Sequence, residues 1–407
     1  LIPASSALEQ AAPLIEQAVV EAPELPMTRV LDQSNMLINA NRSIDVATMK
    51  ASISKLADVL QGHPNQSFVL TLITQYAELF EDDMGLEPIV KRALEIDPLQ
   101  ADFHGSMAIL LALRGDLDRA VEYQHRAIEL APDAPGYYTA MAHLMERQNK
   151  LDQAIYWYVR ATETDPEDPE LPMQIALWLY DLDLSETADT WTTRAIAIAP
   201  HAPPAQVLKM EQAIQDGDDS EIEAVARKII SETTEDRLWV VRIAAAELCR
   251  IHLERGSPEE AIAFLVERHP GAADPSRFLP GAAAFFSQIM VQMTRVMSDP
   301  SLDRTAISKA YLDNLKAMDA EMAKDPVFQT WTSLLAGDLE AAAKTAAEGR
   351  LSQPWAMNPF VFRLYARPWY KQLTEFPEVQ EKLADLERQR QEQRELTIKM
   401  LAEIEQG

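Results

Sequence analysis

Residues able to do acid–base, nucleophilic or metal chemistry are few and scattered in this 407-residue chain. No two of its histidines have the spacing that puts two metal ligands on one helix face. They are His63, His104, His125, His143, His201, His252 and His269. The single cysteine, Cys249, is a possible nucleophile, but it falls at a position that calls for a small buried residue. We therefore predict no metal site and an unreactive thiol.

The sequence also lacks the short motifs that mark common catalytic and cofactor sites. It has no glycine-rich phosphate loop, no dinucleotide fingerprint, no H-E-x-x-H and no G-x-S-x-G. Two carboxylate-rich stretches, 181–186 and 215–223, lack the glycine and the spacing of a calcium loop, and we interpret them as solvated turns. These observations predict no catalytic residue and no cofactor, and hence a protein that is not an enzyme.

Charge and composition narrow the class of partner. The formal net charge is −27, which repels phosphate backbones and anionic lipid headgroups and attracts basic or amphipathic protein segments. No apolar run reaches the roughly 18 residues of a membrane span. One cysteine permits no intrachain disulfide, which fits a reducing compartment and is also compatible with a bacterial periplasm. We expect a soluble protein, with a cytoplasmic location favoured and a periplasmic or membrane-tethered one left open.

A 34-residue period organises much of the chain. Its clearest marks are the prolines Pro64, Pro98, Pro132, Pro166 and Pro200. Small residues recur in register with them: Ala93, Ala127, Ala161 and Ala195; Ala120, Ala154 and Ala188; Ala108, Ala142 and Ala176. Such a period predicts two short amphipathic helices per repeat, which cross closely at the small residues and end at the proline. Gly115 and Asn149 lie where the turn between the two helices needs a left-handed residue.

This pattern resembles the tetratricopeptide repeat family. The resemblance implies an all-α, right-handed superhelical solenoid of antiparallel helix pairs, here followed by a long C-terminal helix. It is strongest over 101–202 and weaker over 67–100, where Leu86 takes a small-residue position and Pro88 shortens the second helix. Degenerate pairs continue at 242–270, with Gly256 as the turn and Cys249 and Ala261 at small positions, and again at 325–350. Two longer helices are predicted at about 281–297 and 302–323.

Five regions follow from these patterns. We predict an N-terminal helical capping region (1–66), regular repeats (67–202), degenerate repeats (203–270), a helical region with a further degenerate repeat (271–352), and an aromatic segment with a charged C-terminal helix (353–407). The non-methionine start suggests a processed or cut N-terminus, preceded by a signal, an anchor or another domain. In the C-terminal helix, Arg390, Gln393 and Thr397 interrupt the apolar stripe, so we expect only its first part to pack on the solenoid.

The resemblance also implies a binding surface. In the family, the first helix of each repeat lines a concave groove, and the same register in this chain gives an apolar floor with an acidic rim. The predicted groove residues are Phe68, Leu72, Leu79, Ile109, Leu113, His143, Glu146, Met173, Leu177 and Tyr180. The Lys, Asn and Arg residues of the family's clamp for acidic chaperone C-termini are nearly absent, which argues against a co-chaperone of that type. An apolar or basic protein segment fits such a groove.

Two occupants and two functions stay open from sequence alone. The groove either binds a partner's peptide or helix, or holds the chain's own aromatic and basic segment 362–373. The first function is a non-enzymatic scaffold for protein–protein interaction. The alternative is a sensory or regulatory repeat region of a larger bacterial protein, since the closing pattern is loosely similar to the ends of repeat regions in bacterial adenylate cyclases and membrane-linked regulators. The oligomeric state stays open as well.

Overall fold

The structure, a computed structural model, describes residues 46–62, 86–232, 238–277, 282–318, 322–352 and 365–406, with 30–34, 36, 69, 70, 73 and 279. Its helices, numbered α1 to α18 in order, are Val46–Gly62, Glu87–Ile96, Ala101–Leu113, Leu117–Leu130, Pro135–Arg147, Leu151–Thr164, Glu170–Asp181, Ser185–Ile198, Pro203–Asp216, Asp219–Glu232, Leu238–Arg255, Pro258–Arg268, Ala282–Ser298, Arg304–Met318, Pro326–Ala336, Leu339–Glu348, Pro368–Lys371 and Pro377–Gln406. Short 3-10 turns span Pro270–Ala273, Met322–Lys324, Arg350–Ser352 and Gln372–Glu375. These residues contain no strand, and the predicted all-α solenoid of helix pairs is confirmed.

Small residues lie where the helices of a pair cross, as the repeat pattern predicted. The alanines of the 34-residue register are all buried: Ala93, Ala108, Ala120, Ala127, Ala142, Ala154, Ala161, Ala176, Ala188 and Ala195. Cys249 and Ala261 take the same positions in a later pair and are completely buried. A larger side chain at such a crossing would separate the helices, since protein interiors are close-packed.

The turns inside the pairs share one backbone geometry. Gly115, Gly256 and Gly337 have φ values of 82°, 73° and 80°, in the left-handed region that glycine enters freely. Asn149 takes that role with φ 56°, as the sequence indicated, and Asp183 does so with φ 54°. The next residue's N–H then donates to a carbonyl five residues back, as in Asp116 to Leu111, Lys150 to Met145 and Leu184 to Leu179, each at 2.9 Å. These bonds satisfy carbonyls that the helix end would otherwise leave unpaired.

The chain divides into two compact units. Unit 1 runs from Leu1 to Leu144 and unit 2 from Met145 to Gly407, so the division falls inside α5. In unit 1, Gln124 donates a 2.7 Å hydrogen bond to the backbone carbonyl of Tyr137, which ties α4 to α5. In unit 2, successive helices pack side by side from α6 to α13 and again from α14 to α16. This division into two units does not test the five regions defined from the sequence, which stay a prediction.

Later elements follow the sequence closely. The two predicted longer helices are Ala282–Ser298 and Arg304–Met318, and the second is followed by a 3-10 turn at Met322–Lys324. Helix α2 has 10 residues and carries a proline in its first turn. Proline is favoured there and disfavoured further inside a helix, which accounts for the start of α2 at Glu87. Of the predicted capping region, the described part contains the 17-residue helix α1.

The expectation for the C-terminal helix was wrong. The residues that interrupt its apolar stripe are themselves contacts between α18 and the repeats. Arg390 donates to the carbonyl of Asp181 at 3.1 Å and pairs with Asp183 at 3.2 Å, at the C-terminal end of α7. Gln393 accepts from the N–H of Leu151 at the start of α6, and Thr397 is fully buried. The helix therefore packs well beyond its first part, using polar groups that match the exposed ends of neighbouring helices.

Candidate partner-binding groove

Among the predicted groove residues that the structure describes, the solvent-exposed ones lie in unit 1. Phe68, Leu72 and Leu79 lie outside the described residues. Ile109 is half-buried, and Leu113, at the end of α3, keeps 40% of its surface exposed. His143 on α5 is also exposed. Unit 1 thus presents apolar surface at the end of α3 and an exposed imidazole on α5.

Close packing of α3 on α5 forms this surface. Gly105 is buried, and a Cβ added there would lie 3.2 Å from Cε1 of Tyr137, so glycine allows the ring to lie against the helix. The Tyr137 hydroxyl donates to the carboxylate of Asp102. Burial and, to a smaller extent, this hydrogen bond raise the pKa of Tyr137 well above its ordinary value. Asp102 therefore holds α5 in place as well as adding negative charge beside the apolar positions.

In unit 2 the corresponding floor is closed. Met173, Leu177 and Tyr180 are all buried, because α7 packs directly on α9. The Tyr180 hydroxyl donates to Asp189 at 2.6 Å, and burial together with this bond raises its pKa. A charge introduced at Leu177 would lie inside the protein, whereas the register had placed this residue on an open face.

Glu146, predicted at the groove rim, connects three helices. Its Oε1 accepts a 2.9 Å hydrogen bond from the hydroxyl of Tyr158 on α6 and a 2.6 Å bond from the indole N–H of Trp178 on α7. Burial and, to a smaller extent, the negative charge of Glu146 raise the pKa of Tyr158. Buried aromatic donors need such an acceptor, so this carboxylate serves packing inside unit 2.

The chain's own C-terminal segment does fold back onto unit 2. Arg367, which follows a stretch outside the described residues, is buried and pairs with the buried carboxylate of Glu247 on α11 at 2.7 Å. Burial acts to raise the pKa of Glu247, but attraction to Arg367 and Arg250 outweighs it and holds that pKa below its usual range. This contact is with α11, in a later repeat than those whose groove residues were predicted, and occupation of the predicted groove by the segment stays a prediction.

One cluster of titratable side chains had no sequence signature. His252 on α11 lies between the carboxylate of Glu223 (Nε2 to Oε1, 3.1 Å) and the hydroxyl of Ser257 (Nδ1 to Oγ, 3.0 Å). The residue types are those of a nucleophilic triad, but the imidazole is nearly fully buried. Glu223 is also bonded to Arg227 and Arg255, at 2.9 and 2.6 Å. This network joins α10, α11 and the turn into α12, and only the fold brings Glu223 against His252, which lies 29 residues later in the chain.

Cys249 is fully buried, and burial raises the pKa of its thiol to about 12. Among the described residues, no three potential metal-ligating side chains come together. None of the described helices combines the length and apolar character needed to cross a bilayer.

Comparison with known proteins identifies the fold. No family model and no curated protein matches the sequence. Yeast Tom70, in its crystal structure, superimposes with a TM-score of 0.52 at 18% identity, covering 74% of this chain and 62% of that one. MamA protein gives a TM-score of 0.34 at 16% identity (42% and 91% of the two chains), and the APC/C hetero-tetramer Cut9–Hcn1 gives 0.44 at 14% (84% and 58%). These proteins contain tetratricopeptide repeats, and the likeness to Tom70 shows that this chain shares that fold.

Proposed function

We propose that this protein is a non-enzymatic scaffold that binds a segment of a partner protein on the first helices of its unit 1 repeats. The observation that supports this most directly is the exposure of Leu113. It is a large apolar side chain at a groove position of α3, 40% exposed, whereas Leu177 at a groove position of α7 is buried. Exposed apolar side chains at the repeats' inner positions favour binding of a complementary apolar surface.

The charge of the chain supports a basic partner. A net charge of −27 gives a negative field that accelerates encounter with positive segments and disfavours acidic ones and nucleic acids. Asp102 lies in α3, Asp116 in the turn that follows it and Asp118 in the first turn of α4. The proposed ligand is therefore an amphipathic or extended segment with apolar residues and Lys or Arg.

Two synthetic helical peptides test this proposal. They share one apolar leucine pattern, and their polar positions are all lysine in one and all glutamate in the other. We expect the full-length chain to bind the lysine peptide and not the glutamate peptide. Leu113→Arg should weaken binding at least tenfold, because it removes apolar contact and adds like charge.

Leu396→Arg is the matched control, since Leu396 on α18 is also 40% exposed. It adds the same charge to the chain and should leave peptide binding unchanged. Equal binding of both peptides, or an equal loss in both variants, would contradict the proposed site. The same two variants then allow partners captured from the source cell to be sorted by their dependence on Leu113.

A further inference from the structure

Residues Tyr365–Phe376, here called the strap, lie against unit 2 in the manner of a bound peptide. Their regular structure is a four-residue helix, Pro368–Lys371, and a four-residue 3-10 turn, Gln372–Glu375. Helices this short do not persist by themselves in water. Side-chain anchors hold the strap instead, and the four apolar ones are all buried: Tyr365, Trp369, Tyr370 and Leu373.

Arg367 is the polar anchor. Its Nη2 and Nε lie 2.7 and 3.2 Å from Oε1 of Glu247, and the other carboxylate oxygen accepts from Arg250 at 2.7 Å. Glu247 comes two residues before Cys249, as Ser106 comes two residues before Ala108, and Ser106 lies one 34-residue period after the predicted groove residue Leu72. A strap residue thus pairs with a groove position of α11.

Aromatic contacts complete the surface of α11, α13 and α15 on which the strap lies, here called the seat. The indole N–H of Trp331 on α15 donates to the hydroxyl of Tyr370, and the rings of Tyr365 and Tyr370 lie 5.2 Å apart. Gln372 donates to the sulfur of Met297 on α13 at 3.5 Å. The strap therefore touches side chains of α11, α13 and α15 with one arginine and several aromatic rings.

We propose that this surface of unit 2 is a second binding site, for a partner segment presenting an arginine flanked by aromatic residues, and that the strap occupies it as an internal ligand. The chemistry of the seat sets the partner. Displacement of Arg367 would leave Oε2 of the buried Glu247 bonded to Arg250 but would remove both donors from Oε1, so whatever replaces Arg367 must bring a donor to Oε1. Arginine does this best, because its planar guanidinium donates two bonds to one carboxylate and stacks well on aromatic rings.

The strap has a concentration advantage over any free segment. Because it is part of the same chain, its effective concentration at the seat is on the order of millimolar or higher. A free peptide of the same sequence should hence bind poorly to the wild-type chain and well once the strap's anchors are removed. The site belongs to unit 2, and the proposed scaffold surface to unit 1, so each proposal can fail alone.

A labelled synthetic peptide of residues 365–376 is the probe. It is titrated against the wild-type chain and against the full-length chain carrying Arg367→Ala and Trp369→Ala. We expect binding to the variant to be at least tenfold tighter than to the wild type, and to be lost when Glu247→Gln is added. A peptide carrying Arg367→Glu should not bind. If the variant is folded by circular dichroism and fails to bind, or if the wild type binds equally well, the proposal is overturned.

A second measurement applies even if that variant does not fold. A protease site is inserted between Ser352 and Tyr365 of the otherwise unchanged chain, and the purified protein is cleaved there. An excess of a competitor polypeptide that spans residues 365–406 should then replace the cleaved C-terminal fragment on the rest of the chain. The same competitor with Arg367→Glu should be at least tenfold less effective. Equal exchange by both competitors would show that the arginine does not select the ligand, and would overturn the proposal.

Discussion

The side-chain oxygen of Gln393 accepts a 2.7 Å hydrogen bond from the backbone N–H of Leu151, a residue 242 positions earlier in the chain. Leu151 is the first residue of α6, where the backbone N–H groups have no partner within their own helix. Gln393 therefore caps α6 from the C-terminal helix. No side chain near Leu151 in the sequence does this, since Lys150 at the cap position makes no capping bond.

Gln393→Ala should destabilise the start of α6. Loss of a capping acceptor costs about 1 kcal/mol, and we expect the amides of the first turn of α6 to exchange with solvent about fivefold faster. Hydrogen-exchange mass spectrometry measures this directly. Gln391→Ala is the control, because Gln391 is exposed and donates to Glu387 within its own helix at 2.8 Å. Unchanged protection in the Gln393 variant would show that the cap contributes nothing.

Leu113→Glu and Leu177→Glu should differ sharply in stability. Leu113 is 40% exposed and Leu177 only 4%, so the first change places a charge in water and the second buries one. We expect less than about 0.5 kcal/mol of destabilisation for Leu113→Glu and about 3–5 kcal/mol for Leu177→Glu. Urea denaturation followed by circular dichroism compares the two. Similar midpoints would contradict the buried packing of α7 on α9.

Glu146→Leu should weaken the contacts among α5, α6 and α7. It removes the acceptor shared by the Tyr158 hydroxyl and the Trp178 indole, at 2.9 and 2.6 Å. Removing the acceptor shared by two buried donors should cost about 2–4 kcal/mol, whereas Glu146→Gln keeps an acceptor oxygen and should cost about 1 kcal/mol. Denaturant midpoints of the two variants give the comparison. A leucine variant as stable as the glutamine variant would rule out this role.

Glu247 should make stability depend on pH. Its pKa in the folded chain lies below the ordinary 4.5, so its contribution is present above the unfolded value and is lost as pH falls through the folded pKa. At neutral pH we expect Glu247→Gln to cost about 3 kcal/mol, because it leaves the buried Arg367 without a full counter-charge. The difference from wild type should shrink steadily below about pH 4.5.

Glu254→Gln is the control for that experiment. Glu254 also bonds Arg250, at 2.6 Å, but its side chain is 49% exposed. An exposed pair of this kind contributes about 0–1 kcal/mol. If the two variants lose the same stability at neutral pH, the buried pair has no special weight.

Cys249 should be unreactive in the folded protein. Burial raises the pKa of its thiol to about 12, and the sulfur is completely enclosed. Iodoacetamide in mildly alkaline buffer should modify it at least a hundredfold more slowly in the native chain than in denaturant, since only the exposed thiolate reacts. Mass spectrometry measures the modified fraction. Rapid labelling of native protein would mean that the pair α11–α12 opens readily.

The sequence by itself determined the repeat and its local geometry. Prolines and alanines at a 34-residue spacing predicted the helix pairs, and the buried alanines follow that register. Gly115 and Asn149 predicted the left-handed turns, because few residues tolerate positive φ. Such features depend on contacts within one repeat, which the local sequence encodes.

Tertiary structure decided which groove positions stay open and what the polar residues of the C-terminal helix do. One register placed Leu113 and Leu177 alike, yet packing of α7 on α9 buries only the second. Arg390 and Gln393 interrupt an apolar stripe in sequence, but they bond to helix ends that lie 209 and 242 residues away. Arg367 likewise meets Glu247 only in the folded chain. Partners so distant leave no periodic signal, because their pairing depends on how the helices of unit 2 stack.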